Sequence, residues 1–124
     1  MNITHASFVT LPVTDQDRAL RFYRDVLGFE VTADLQMPPG RWLQVAPKGA
    51  QTVFTLSGPG MGDFEPGSAR GIMLVTTDVD ADCARLAEAG TDVQGPEEYP
   101  WGRMASFTDH DGNGLMLLTE KEGF

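Results

Sequence analysis

Two histidines, one cysteine and eighteen acidic residues are the side chains of this chain that could carry nucleophilic, acid–base or metal chemistry. Their placement argues against most of it. A catalytic triad or a Cys-His pair needs an imidazole held between a nucleophile and an orienting group. His5 stands alone near the amino terminus, and His110 falls inside the polar stretch Asp109–Asn113, where it reads as solvated. Cys83 lies on a stretch of helical apolar period and reads as a small buried apolar residue. With no second cysteine there is no internal disulfide, no CxxC pair and no zinc-finger spacing. The glycines at 58–62 lack the Lys-Ser/Thr of a phosphate loop and open no helix. Two guanidinium groups, Arg41 and Arg103, each follow a glycine and could clamp a carboxylate or phenolate, or simply pair with surface acids.

The elements that would position these groups form an internal repeat. Phe8–Val31 and Gly71–Val93 each open on an apolar run and continue through Thr-Asp-x-Asp (Thr14–Asp17, Thr77–Asp80) into a helical period that stops at glycine, Gly28 or Gly90. The offset is 63 residues at the aspartates and 62 at the glycines. Carried onward at 62, it places Gly40-Arg41 on Gly102-Arg103, Trp42 on Met104 and Phe54 on Met116. In the first copy the pattern predicts a strand over Phe8–Val13, a helix capped by Thr14 or Asp15, and strands over Glu30–Leu35, Trp42–Ala46 and Thr52–Leu56. In the second it predicts Ile72–Thr76, a helix over Val79–Ala89, then Asp92–Val93, Met104–Thr108 and Leu115–Thr119. The fold class is α+β: two βαβββ modules in tandem, about 1–57 and 70–120, joined by a Gly- and Pro-rich linker at about 58–69 within one domain spanning 1–124.

Composition narrows the partners. The net charge of -9 leaves no cationic footprint for nucleic acid and would repel an anionic membrane, while favouring cationic ligands. No run approaches a membrane span of ~20 apolar residues, and the opening MNITHASF has neither the basic stretch nor the apolar run of a secretory leader. The expected location is cytoplasmic.

Four segments together resemble the vicinal oxygen chelate superfamily, which contains glyoxalase I, extradiol dioxygenases and bleomycin-resistance proteins. They are LPVTDQDRALRFYRDVLGF, TTDVDADCARLAEAG, PWGR at 100–103 and DHDGNGLMLL at 109–118. The resemblance implies that each module's mixed sheet curls into an open cup and that two modules pair, within one chain or between two chains, to enclose a cavity. It also implies four pseudo-equivalent metal-ligand points, which fall on Phe8, Phe54, Gly71 and Met116. None offers an imidazole or carboxylate for Zn²⁺, Fe²⁺ or Mn²⁺. His5, an odd number of strand positions from Phe8, would point away from the cup.

The resemblance therefore implies a metal-free, cofactor-free small-molecule binder with no catalytic residue, of the bleomycin-resistance kind, sequestering an antibiotic or related natural product. Phe8, Phe54 and Met116 would face the cup with Trp42 and Met104 beside them, Tyr99 and Trp101 would stand at the rim, and Arg41 and Arg103 would flank it. Such a lining suits an aromatic or bulky ligand, and the acidic charge a cationic one. A homodimer is the assembly the resemblance implies. The other readings are an enzyme of lyase, isomerase, epimerase or dioxygenase type with a non-standard site, and an interaction module with a vestigial cavity.

Overall fold

The computed structural model describes residues 1–122. Its elements run β1 (Phe8–Pro12), α1 (Gln16–Arg21, continuing as a π-helical turn over Phe22–Val26), β2 (Glu30–Met37), β3 (Gly40–Ala46), β4 (Val53–Ser57), β5 (Ile72–Val75), α2 (Val79–Glu88), β6 (Val93–Tyr99), β7 (Gly102–Thr108) and β8 (Gly114–Glu120). The strands make two four-stranded mixed sheets of identical topology, β1-β4-β3-β2 and β5-β8-β7-β6. In each, the first strand runs parallel to the last and the others are antiparallel, as two copies of a βαβββ unit require.

Local chemistry explains the helices. Asp15 and Asp78 cap them, each carboxylate accepting the backbone N–H three residues on (3.1 Å). Gly28 and Gly90 end them at positive φ (76° and 84°), which a side chain would resist. Thr14, the other cap candidate, does not cap α1. Its N–H and hydroxyl both donate to Asp111 Oδ1 (3.0 and 2.7 Å), in the other module. β6 extends to Tyr99, well past the Asp92–Val93 read from the sequence, because a bulge between Gln94 and Glu97 absorbs a Gly-Pro pair that breaks the strand pattern.

Each sheet has two unlike faces. Leu11, Leu43, Val45 and Leu56 of the first, with Ala105, Phe107, Leu115 and Leu117 of the second, join Ala19, Leu20, Phe22, Tyr23, Val79, Cys83 and Leu86 of the helices in one shared core. The opposite faces are left open. Burial pushes the Cys83 thiol up, in keeping with its apolar packing.

The modules are tied by a polar knot at residues 109–113. Asp109 Oδ1 accepts the backbone N–H groups of Asp111, Gly112 and Asn113, all at 3.0 Å. Its Oδ2 accepts the Tyr23 hydroxyl (2.8 Å) and the Asn113 side-chain amide (2.9 Å). Asn113, fully buried, also donates to the Pro12 carbonyl (2.8 Å) and accepts from the Ala69 N–H (3.0 Å). One loop thus holds β1, α1 and the segment entering β5. Desolvation, and then the Asp109 carboxylate, push the Tyr23 phenol far above its ordinary value, so it stays a donor.

Two expectations follow for urea unfolding. Tyr23→Phe leaves the knot without one donor and should cost about 1–3 kcal/mol, and Asn113→Ala, which strands the Ala69 N–H, should cost more. Equal stability of Tyr23→Phe and the wild type would show that the knot does not depend on the phenol. Gly67→Ala should likewise destabilise, because Gly67 sits at φ 77° and a Cβ there would collide with the Asp111 carbonyl.

Candidate functional site

Cross-strand partners project to the same face of a sheet, so the register assigns each candidate to a side. On the first sheet Phe8 pairs with Val53, Gln44 with Thr55 and Leu35 with Trp42, all on the open face. Phe8 and Trp42 lean toward each other and meet edge to face, ring centroids 5.5 Å apart. β4 lies between their strands, and its Thr55 is buried, accepting from the Gln44 amide (3.1 Å).

Phe54 departs from the expectation. It pairs with Val9 and Val45 on the helix-covered face and is 6% exposed, against 44% for Phe8. Its ring stacks on Phe29 at 6.0 Å, inside the core. The cause is a hairpin shorter by one residue. Val45 and Phe54 face each other across the first, Phe107 and Leu115 across the second, so the repeat offset is 61 in the last strand rather than 62. Met116 therefore corresponds to Thr55. A slip of one residue moves a side chain to the other face.

On the second sheet Met73 and Met116 pair, Met116 and Ser106 pair, Leu118 and Met104 pair, and Glu97 and Met104 pair, all on the open face. Gln94, Glu97, Tyr99, Met104, Ser106 and Met116 line a shallow hollow of about 180 Å³. It continues through Gln94, Ser106 and Met116 into a second hollow of about 360 Å³ that reaches Arg70 and Asp92. Trp101 lies flat against Tyr99 (centroids 5.1 Å, interplanar 15°), and its indole N–H points to the Met104 sulfur at 2.9 Å. Both rings are exposed.

Arg41 and Arg103 occupy equivalent places, on the side of the sheet that carries the helices. Arg41 grips Asp34 through two hydrogen bonds (2.8 and 2.9 Å) and Asp17 on α1 through a third (2.7 Å). Arg103 grips Asp80 on α2 (2.9 Å twice) and approaches Glu98 at 3.5 Å. Each guanidinium staples the third strand of its module to a helix start and is already occupied by carboxylates. The hydrogen bonds from Arg41 and Arg103 hold Asp34 and Asp80 below the usual carboxylate range.

The metal-ligand points implied by the resemblance, corrected for the register, are Phe8, Thr55, Gly71 and Met116. This donor set does not fit a Zn²⁺, Fe²⁺ or Mn²⁺ centre. Among the described residues no three His, Cys, Asp or Glu side chains converge elsewhere. His5 lies before β1 with its Nδ1 against the Thr4 hydroxyl (2.8 Å), and His110 is exposed with its ring edge on Phe22 (5.5 Å). No helix among the described residues is long and apolar enough to cross a membrane.

The chain belongs to the Glyoxalase/Bleomycin resistance protein/Dioxygenase superfamily, whose model matches residues 3–117. It is similar to TnmS3, an antibiotic binding protein from Streptomyces sp. CB03234, with 50% identity, 98% of this chain and 99% of that one covered, and a TM-score of 0.89. A superfamily member from Sphaerobacter thermophilus DSM 20745 is 38% identical, covers 97% of this chain and 100% of its own, and superposes with a TM-score of 0.88. YetH of Bacillus subtilis (strain 168) is 32% identical over 111 residues, 88% of this chain and 92% of its own.

The staples give a pH signature. A carboxylate whose folded pKa is depressed contributes stability above its unfolded pKa and loses it as pH falls through the folded value. The stability gap between the wild type and an Arg41→Met/Arg103→Met double variant should therefore be full above the ordinary carboxylate range, about pH 5 and higher, and shrink as the pH falls below that range. A gap that persists in acid would assign these arginines a packing role instead.

Proposed function

We propose that this superfamily member is a metal-free binding protein that captures an antibiotic or a related planar natural product stoichiometrically. The observation that carries this reading is the open face of each module, which presents Phe8 and Trp42 on one sheet and Met104, Met116 and the Tyr99–Trp101 stack on the other. Aromatic rings and thioethers bind by dispersion and area burial, which a planar ligand satisfies best. The similarity to an antibiotic binding protein at 50% identity supports the same reading. Capture needs no nucleophile, base or Lewis acid.

A single open sheet covers only one side of a ligand. Pockets that hold small molecules bury most of the ligand surface, and exposed Phe8, Leu35, Met37, Met73, Val75, Tyr99 and Trp101 make an apolar surface of the kind that seeks a partner. The reading is therefore of a homodimer in the cytoplasm, with the open face of one module apposed to that of a second subunit. Phe8, Trp42, Trp101, Met104 and Met116 would touch the ligand. Phe54 would support them from the core side, and Arg41 and Arg103 would hold the strands.

Thermal denaturation of chelator-treated protein against divalent metals and a panel of planar aromatic antibiotics tests this. A ligand at one hundred times its Kd stabilises by about 2.7 kcal/mol. The expected result is a rise in Tm with an antibiotic and none with metals, recovery of the ligand chemically unchanged, and a loss of about tenfold or more in affinity on Trp101→Ala. A rise with Zn²⁺, Mn²⁺ or Fe²⁺ alone, or a converted ligand, would overturn it in favour of an enzyme. A monomer by sedimentation in the presence of saturating ligand would overturn the shared site.

A further inference from the structure

Among the described residues Glu97 is the one acidic or basic side chain that lines the smaller hollow, beside Tyr99. It gets there through the bulge in β6. Gln94 pairs with Ser106 and Glu97 with Met104, three residues against two, so both point to the open face. In an unbulged strand Glu97, three positions from Gln94, would turn to the helix side, where Glu98 now meets Arg103. Its equivalent in the first module is Leu35, which pairs with Trp42 as Glu97 pairs with Met104. The fold thus does not require a carboxylate at this place; the first module puts an apolar side chain there.

No cation among the described residues contacts it. Among the described residues Glu97 forms no ion pair, and its one hydrogen bond is from the Tyr99 hydroxyl, at 3.3 Å. The nearby basic groups are engaged elsewhere: Arg103 with Asp80 and Glu98, and Arg70 with the carbonyls of Gly67, Ala69 and Gly112. A planar ligand lying on Tyr99, Trp101 and Met104 would cover this carboxylate. Burying a carboxylate's charge without a partner is unfavourable, so a neutral or anionic ligand would be penalised where a cation would be drawn in, by Glu97 and by the two ring faces together.

We propose that Glu97 is the specificity-determining residue of the site and that the ligand is a planar aromatic bearing a protonated amine beside its ring system. This rests on the binding reading above and adds the charge of the ligand to it. The aromatic wall supplies affinity, and Glu97 selects among ligands of the same shape.

A matched set of fluorescent probes separates the two. 9-(Aminomethyl)anthracene is cationic, 9-anthracenemethanol neutral and 9-anthracenecarboxylate anionic, all with one ring system. Titrated into the full chain at low salt, the wild type should bind the cation about tenfold more tightly than the neutral probe, a difference of about 1.4 kcal/mol, and the anion most weakly. Glu97→Gln should bring the cation to the neutral value while leaving the neutral probe within about twofold, since the side-chain shape is kept. Trp101→Ala should weaken all three. Equal binding of the three probes by the wild type, or a cation preference that survives Glu97→Gln, overturns the role of Glu97 and leaves the aromatic binding site intact. Failure of the wild type to bind any of them overturns the binding site and the role of Glu97 with it. A Glu97→Gln variant that changes the dimer dissociation constant and not probe selectivity would assign the carboxylate to a partner-subunit contact, against the proposal.

Discussion

The buried carboxylate of Asp109 is the point through which the two halves of this chain hold each other. It takes three backbone N–H groups on one oxygen and the Tyr23 hydroxyl and Asn113 amide on the other. An ionised group taken out of water must be answered on all sides, and an incomplete network would be worse than an apolar one. Satisfying it demands that α1 of the first module, the loop before β8 and the strand end at Pro12 arrive together. The sheets are then placed so that their helix-covered faces share a core, which leaves their other faces free. The open surfaces are a consequence of how the closed ones are joined.

Duplication gives both modules the same devices, and the copies differ on their open faces. The stapling arginines, the capping aspartates and the glycine stops are repeated and structural. Where the copies diverge on the open face, Trp42 answers Met104, Thr55 answers Met116 and Leu35 answers Glu97. The first face is apolar around one aromatic pair. The second is softer, built on thioethers, with a flat aromatic stack and a carboxylate. Two such unlike faces, apposed across a dimer, would present a ligand with different chemistry on its two sides.

Much of the fold was legible because its signals are local. Apolar period, aspartate caps and glycine stops depend on neighbours within a few residues, and nine of the ten elements were read near their observed places from these and the repeat. The exception was β6, whose Gly95-Pro96 pair reads as a break unless the bulge that absorbs it is known. The site was legible by composition and less so by side. Phe8, Trp42, Met104 and Met116 were recognisable as residues that could line an open sheet, while Glu97 carried no signal, since a carboxylate in an acidic chain looks like any other.

The sequence by itself determined the duplication and the order of elements. Those are properties of residue type and spacing. Only the tertiary structure decided which side of each sheet a residue faces. Side chains alternate every residue along a strand, so the one-residue difference between the two hairpins sent Phe54 into the core and Thr55 to the open face. The partners of Arg41 and Arg103 were likewise set by where α1 and α2 cross their sheets, more than twenty residues away in the chain. Contacts of that range follow from packing, and no local pattern encodes them.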